Sequence, residues 1–185
     1  MASSPKVLVA LSGGCESVAL LYHAKQLGYE VEALHVSFSI FSGMEYPRCV
    51  EICEKLNVPL FHTEIYYGDP QFDKLKIVDT TFWTPALAWM ACRKDCYDYV
   101  WFGIHNLDSL PFVGRVCATF DMLKSICGHD IKTKIDAPLC KTTKKHQYDM
   151  IDVDIQSLLM YCQHNKLRPC GNCNKCKEWK TAIDV

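Results

Sequence analysis

No run of apolar residues in this chain is long enough to cross a bilayer, and no charged segment leading into a short apolar core precedes the strand-like run that starts at Lys6. A cytoplasmic protein without a membrane partner is expected. An excess of one charge is lacking too: 20 basic against 21 acidic residues leave a formal net charge of −1. That balance gives no global pull toward nucleic acid, so no nucleic-acid partner is expected, although the stretch 132–180 is locally basic. Internal repeats and low-complexity segments are absent, and 49% hydrophobic with 22% charged residues is ordinary for a folded chain. A length of 185 residues can bury one sizeable core. The expectation is one domain over 1–185, with an α/β core at 1–137 and a small helical segment at 138–185. Cysteine is plentiful, at twelve residues. In a chain of this size with no secretory pattern these read as reduced thiols, most of them, including Cys117, Cys127 and Cys140, small packing residues.

The hydrophobic pattern alternates strand and helix. Residues 6–11 form a short continuous apolar run, the mark of a strand covered on both faces. Residues 16–27 have helical spacing and Gly28 sits where a left-handed cap belongs. Further strands are predicted at 30–38, 58–65, 99–104 and 132–135, and further helices at 47–56, 85–97 and 115–126, with a loop at 66–80 placed to cover a site. Connections of this length argue for a doubly wound, mostly parallel five-stranded α/β sheet.

Ser12-Gly13-Gly14-Cys15-Glu16-Ser17 joins the first strand to the first helix, at the carboxyl edge of the sheet where such folds bind ligands. Glycines let a phosphate approach the backbone, serines add hydroxyl donors, and the helix start presents free N–H groups with the positive end of its dipole. The pattern has neither the lysine of a P-loop nor the glycine spacing of a dinucleotide fold. A turn that merely caps the helix is the bland alternative.

Cys162, Cys170, Cys173 and Cys176 lie within fifteen positions, with two Cys-x-x-Cys steps sharing Cys173. Four thiolates make a closed tetrahedral Zn²⁺ site, and Gly171 permits the tight turn that faces N–H groups toward sulfur. A redox pair, an iron–sulfur cluster, thiol packing, or His164 in place of one cysteine remain open alternatives. Cys49 with Cys53 and Cys92 with Cys96 have helical spacing and read as core. So do Phe82, Trp83, Trp89 and Trp101, and His35 reads as a satisfied core histidine.

The order Ser-Gly-Gly-x-x-Ser after a first strand resembles the PP-loop of the N-type ATP pyrophosphatases, with Glu16 where that family carries aspartate. Together with the cysteine cluster it resembles 7-cyano-7-deazaguanine synthase. Residues 103–109, from Gly103 to Asp108 and Ser109, are similar to that family's segment after the fourth strand, and Pro138-Leu139 followed by Lys144 resembles its Pro-Leu-x4-Lys element. The resemblance implies an adenine nucleotide α-hydrolase-like fold with a helical zinc-binding segment. It implies an ATP-dependent ligase that converts 7-carboxy-7-deazaguanine and ammonia, through an adenylated carboxylate, to 7-cyano-7-deazaguanine for queuosine-type or DNA modification.

ATP would then be held by Leu11, Ser12, Gly13, Gly14, Cys15, Glu16 and Ser17, with Glu16 helping to place Mg²⁺. Lys144 would neutralise phosphate charge and Asp108 would face the heterocycle; Lys141 and Lys145 read equally well as a solvated basic face. A homodimer is compatible with the pattern. Two alternatives accompany this reading: a PP-loop enzyme adenylating another carboxylate or a tRNA base, and a catalytically silent nucleotide-binding or zinc-held module.

Overall fold

The computed structural model describes residues 4–38, 45–65, 80–94, 96–108, 110–126, 132–162 and 170–183. The expected loop at 66–80 and His164 fall, but for Thr80, outside them. Five strands, β1 (Lys6–Ala10), β2 (Glu30–Phe38), β3 (Leu60–Ile65), β4 (Tyr99–Trp101) and β5 (Lys134–Asp136), form one sheet in the order β3-β2-β1-β4-β5. Every pairing is parallel, so the α/β, doubly wound, five-stranded expectation holds. Alternate β1 side chains serve opposite faces, as the pleat requires: Val7 and Val9 join one apolar cluster, while Leu8 joins another.

Two helices flank the first face, α1 (Cys15–Gln26) and α2 (Glu45–Leu56). Against α1 pack the C-terminal elements α5 (Lys144–Asp149), α6 (Val153–Gln156) and α7 (Asn174–Ile183). Leu139, Ile151, Ile155, Leu158, Leu159 and Trp179 share one core cluster with Val18, Leu21 and Ile52. The other face is covered by α3 (Thr80–Lys94) and α4 (Leu110–Ile126). No helix among the described residues is long and apolar enough to cross a membrane.

Several boundaries differ from the sequence reading, each for a local reason. Helix α3 begins five residues before Pro85 and carries that proline inside it; its ring faces solvent. Helix α4 begins at Leu110 because Pro111 sits in the first turn, where a missing N–H costs nothing. Strand β4 stops at Trp101 rather than at 104, since the chain leaves the ladder to turn across the loop after β1. Trp89 is 61% exposed rather than core, whereas Trp101 is buried at 3%. Gly28 adopts φ +75 after α1, and Asn57 ends α2 at φ 49, both as left-handed stops.

Candidate active site at the carboxyl edge of the sheet

The strand order reverses at β1, which has β2 on one side and β4 on the other. The segments leaving β1 and β4 therefore open apart at the crevice where doubly wound sheets bind ligands. Gly13, at φ +79, makes the turn out of β1, and Gly14 caps α1 in an extended conformation. As at any helix start, the first-turn N–H groups of Cys15, Glu16 and Ser17 have no preceding carbonyl within the helix.

The loop is braced from below. The buried Ser17 hydroxyl donates to Gly14 O (3.0 Å) and accepts the Ser12 N–H (3.2 Å). Met160 N–H donates to Gly13 O at 2.8 Å, locking the chain before the cysteine segment against the turn. Across the crevice, Gly103 packs on the first turn of α1: a Cβ there would lie 2.6 Å from Glu16 C and 2.7 Å from Ser17 N. Only glycine permits that approach.

Lys144, the first residue of α5, reaches back to this corner. Its Nζ lies 2.8 Å from Glu16 Oε1 and 2.6 Å from Glu178 Oε1, and its side chain is 8% exposed. The structure thus joins two residues singled out from sequence, Glu16 and Lys144, and adds two that sequence reasoning missed, His105 and Glu178. His105 Nε2 is 3.2 Å from Glu178 Oε1 and 3.7 Å from Glu16 Oε1. Asp108 Oδ2 accepts the His105 backbone N–H at 2.8 Å and lies 3.8 Å from the ring. Gln147, fully buried, ties these pieces together by donating to Ile104 O (2.8 Å) and Leu139 O (3.0 Å).

Charge follows the geometry. Burial alone would lower the Lys144 pKa, but the facing carboxylates, Glu16 first, outweigh it and hold the ammonium charged. For Glu178 burial pushes upward and the Lys144 hydrogen bond and charge pull further down, to about 2. Glu16, His105 and Glu178 lie close enough to enclose a cation. Leu107 N–H, however, donates to His105 Nδ1 at 3.2 Å, which leaves the ring proton on Nε2, where it serves Glu178. That tautomer closes Nε2 to a metal, and the Lys144 ammonium fills the space between the carboxylates.

The four cysteines converge at the start of α7, the helix that carries Glu178. The sulfurs of Cys162, Cys170, Cys173 and Cys176 all lie within 4.8 Å of one another. Cys170 and Cys176 sulfurs are 3.9 Å apart. Backbone N–H groups of Cys170, Cys173 and Cys176 each point at a preceding cysteine sulfur, at 3.4 Å. Metal–sulfur bonds of about 2.3 Å in a tetrahedron give sulfur–sulfur edges of about 3.8 Å, so the donor set fits one tetrahedral ion. Burial and the neighbouring thiols push Cys176 up to about 12; such crowding resists ionisation unless a cation shares the charge. Trp179, stacked on Tyr161 at 4.2 Å and edge-on to Tyr148, fixes α7 to the core. A cavity of about 210 Å³ opens beside this stack, lined in part by Arg48, Met160, Tyr161 and Cys162.

Residues 6–70, which contain the β1 turn, match the family model described as "Queuosine biosynthesis protein QueC". Among curated proteins, the tRNA(Ile)-lysidine synthase of Porphyromonas gingivalis strain W83 is 46% identical over 57 residues, 29% of this chain and 13% of that protein. The tRNA-5-methyluridine(54) 2-sulfurtransferase of Thermotoga maritima is 44% identical over 64 residues, 35% of this chain and 20% of that protein. The chain thus spans a fifth or less of the curated relatives it matches.

Among solved structures, the U34-tRNA thiolase NcsA of Methanococcus maripaludis with its [4Fe-4S] cluster superposes with a TM-score of 0.58 at 19% identity, over 99% of this chain and 66% of that one. A 4-thiouridine synthetase in complex with RNA and with bound ATP gives 0.61 at 13% identity, over 91% of this chain and 45% of that one. The fold is therefore that of the PP-loop proteins, QueC-like in its first third.

Proposed function

We propose, from the premise that residues 6–70 match the QueC family within a PP-loop fold, that this protein is an ATP-dependent carbon–nitrogen ligase. Its substrates on this reading are 7-carboxy-7-deazaguanine and ammonia, and its product is 7-cyano-7-deazaguanine. The observation that carries the proposal is the corner itself: an amide-lined turn at Ser12–Ser17 with the Lys144 ammonium 2.8 Å from Glu16.

The substrate carboxylate oxygen attacks the α-phosphorus of ATP, the bond to the β-phosphate breaks, and pyrophosphate leaves. Ammonia then displaces AMP to give the amide. A second adenylation, on the amide oxygen, followed by loss of AMP and a proton yields the nitrile. No protein nucleophile is required; charge builds on phosphate oxygens, and what helps is fixed donors and cations. The N–H groups of Cys15, Glu16 and Ser17 supply the donors, and Lys144 supplies a positive charge when it turns from Glu16. Mg²⁺ bound with ATP would add phosphate neutralisation, with Glu16 as the carboxylate placed to help hold it. The cavity beside Met160, with Arg48, Tyr148 and Tyr161 in its lining, offers a guanidinium and aromatic side chains to an acidic heterocycle.

The sulfur spacing supports a single Zn²⁺ in the cysteine site, where it would organise the segment that bears Trp179 and Glu178 rather than take part in chemistry.

A second reading is favoured by the curated matches, which act on tRNA: the same corner could adenylate a tRNA base. One experiment separates the two. The protein is incubated with ATP, Mg²⁺ and ammonia and offered either the deazapurine acid or tRNA, and products are read by mass spectrometry. The ligase reading expects the nitrile from the acid; modified nucleosides from tRNA with the acid untouched would replace it by the second reading.

A further inference from the structure

The cysteine segment and the nucleotide corner share one helix. Cys176 and Glu178 are two residues apart on α7, and Glu178 is the residue that meets Lys144 and His105. We infer that Glu178 is a positioning residue through which the metal state of the cysteine centre sets the Lys144 ammonium in the nucleotide corner. The inference rests on the PP-loop reading for what Lys144 does there, but not for how Lys144 is held.

The geometry is a chain of directional contacts. A metal on the four sulfurs would fix the first turn of α7, because Cys173 and Cys176 flank its start and their N–H groups already point at sulfur. Trp179 seats the next turn against Tyr161. Between these anchors Glu178 projects toward α5 and accepts both the Lys144 ammonium (2.6 Å) and the His105 Nε2–H (3.2 Å) on one oxygen. The same oxygen thus joins the segment after β4 to the start of α5.

Lys144 is held at the first position of α5, where a helix dipole disfavours positive charge. The carboxylates of Glu16 and Glu178 compensate, one from the turn after β1 and one from the cysteine segment. Lys175, 3.6 Å from the other Glu178 oxygen, steadies the carboxylate from the solvent side. If α7 loosens, Lys144 keeps only Glu16, the group the nucleotide site itself needs free.

Mass-spectrometric footprinting of metal-loaded protein with an amine-reactive reagent tests the coupling directly, with Lys141 and Lys145 as internal references. Replacing Glu178 with alanine is expected to raise Lys144 labelling about tenfold, the scale of losing one charge-assisted hydrogen bond, while metal content stays unchanged and the melting temperature falls only modestly. Stripping the metal from wild type is expected to give the same rise, and stripping it from Glu178→Ala no further rise, the non-additivity of two steps in one path. Glu178→Gln, which keeps an acceptor of the same shape, is expected to fall between.

Titration with α,β-methylene-ATP and Mg²⁺ is run in parallel, and its affinity is expected to drop about tenfold on metal removal only when Glu178 is present. Unchanged Lys144 labelling on metal removal, or additive effects of removal and substitution, overturns the inference. If labelling behaves as expected and wild type binds no nucleotide, the coupling stands and the ATP-dependent function falls instead.

Discussion

Gly103 has no room for a side chain, because the backbone of Glu16 and Ser17 lies where a Cβ would go. Gly103→Ala must push the β4 segment off the turn, and overpacking of this kind costs about 1–3 kcal/mol. Denaturant unfolding should show that loss, and nucleotide binding should fall more than stability alone accounts for, since the displaced atoms form the site. His35 is a second test at this scale. It is 1% exposed, with its Nδ1–H given to Leu11 O at 2.8 Å and its Nε2 buried without a partner among the described residues. Burial lowers its pKa from 6.5, so the folded protein keeps the ring neutral while the unfolded chain takes up a proton. The unfolded state then binds more protons below about 6.5, and stability, complete above that pH, declines as pH falls through it. Melting temperature should drop between pH 7 and 5. His35→Asn, whose amide can still donate to Leu11 O, should flatten that drop but not remove it, because burial also lowers His23.

At the scale of elements, α7 carries the clearest consequence. It is a short, mostly polar helix, held by Cys173 and Cys176 at its start and by Trp179 against Tyr161 and Tyr148. Trp179→Ala should cost about 3 kcal/mol, the low end for a large aromatic, and should open the segment to limited proteolysis. Chelation should have a similar effect in wild type, visible as altered tryptophan fluorescence, since metal binding contributes folding free energy to so small a unit. A chelator that changes neither proteolysis nor fluorescence would mean the sulfurs hold nothing that matters to the fold.

The strands were legible because runs such as Val7-Leu8-Val9 are buried on both faces and have few alternative uses. The starts of α3 and α4 were not: Pro85 suggested a boundary that α3 passes through, and α4 begins at Leu110 rather than at 115. The end of β4 was hidden for another reason: nothing in Phe102-Gly103-Ile104 says that the chain must turn to meet Glu16.

Over the whole molecule, the candidate site divides between what a linear motif can carry and what only the topology assembles. The Ser12–Ser17 turn and the four cysteines are contiguous or nearly so, and the chemistry proposed for them follows from residue types and spacing. Lys144 came from a short element whose partner was not evident. Glu178 and His105 could not be found that way, because they are 73 positions apart and meet only once α7 folds back over the segment after β4. The parallel order β3-β2-β1-β4-β5 places that meeting at the switch point, so one crevice holds the Ser12–Ser17 turn, the Lys144 ammonium and Glu178.

The central claim is that this crevice directs attack on the α-phosphorus of ATP, and the cleavage position tests it most directly. With 7-carboxy-7-deazaguanine, ammonia and Mg²⁺ present, nucleotide chromatography should show AMP and pyrophosphate accumulating together and only when the acid is supplied. ADP and inorganic phosphate as the products would contradict the account.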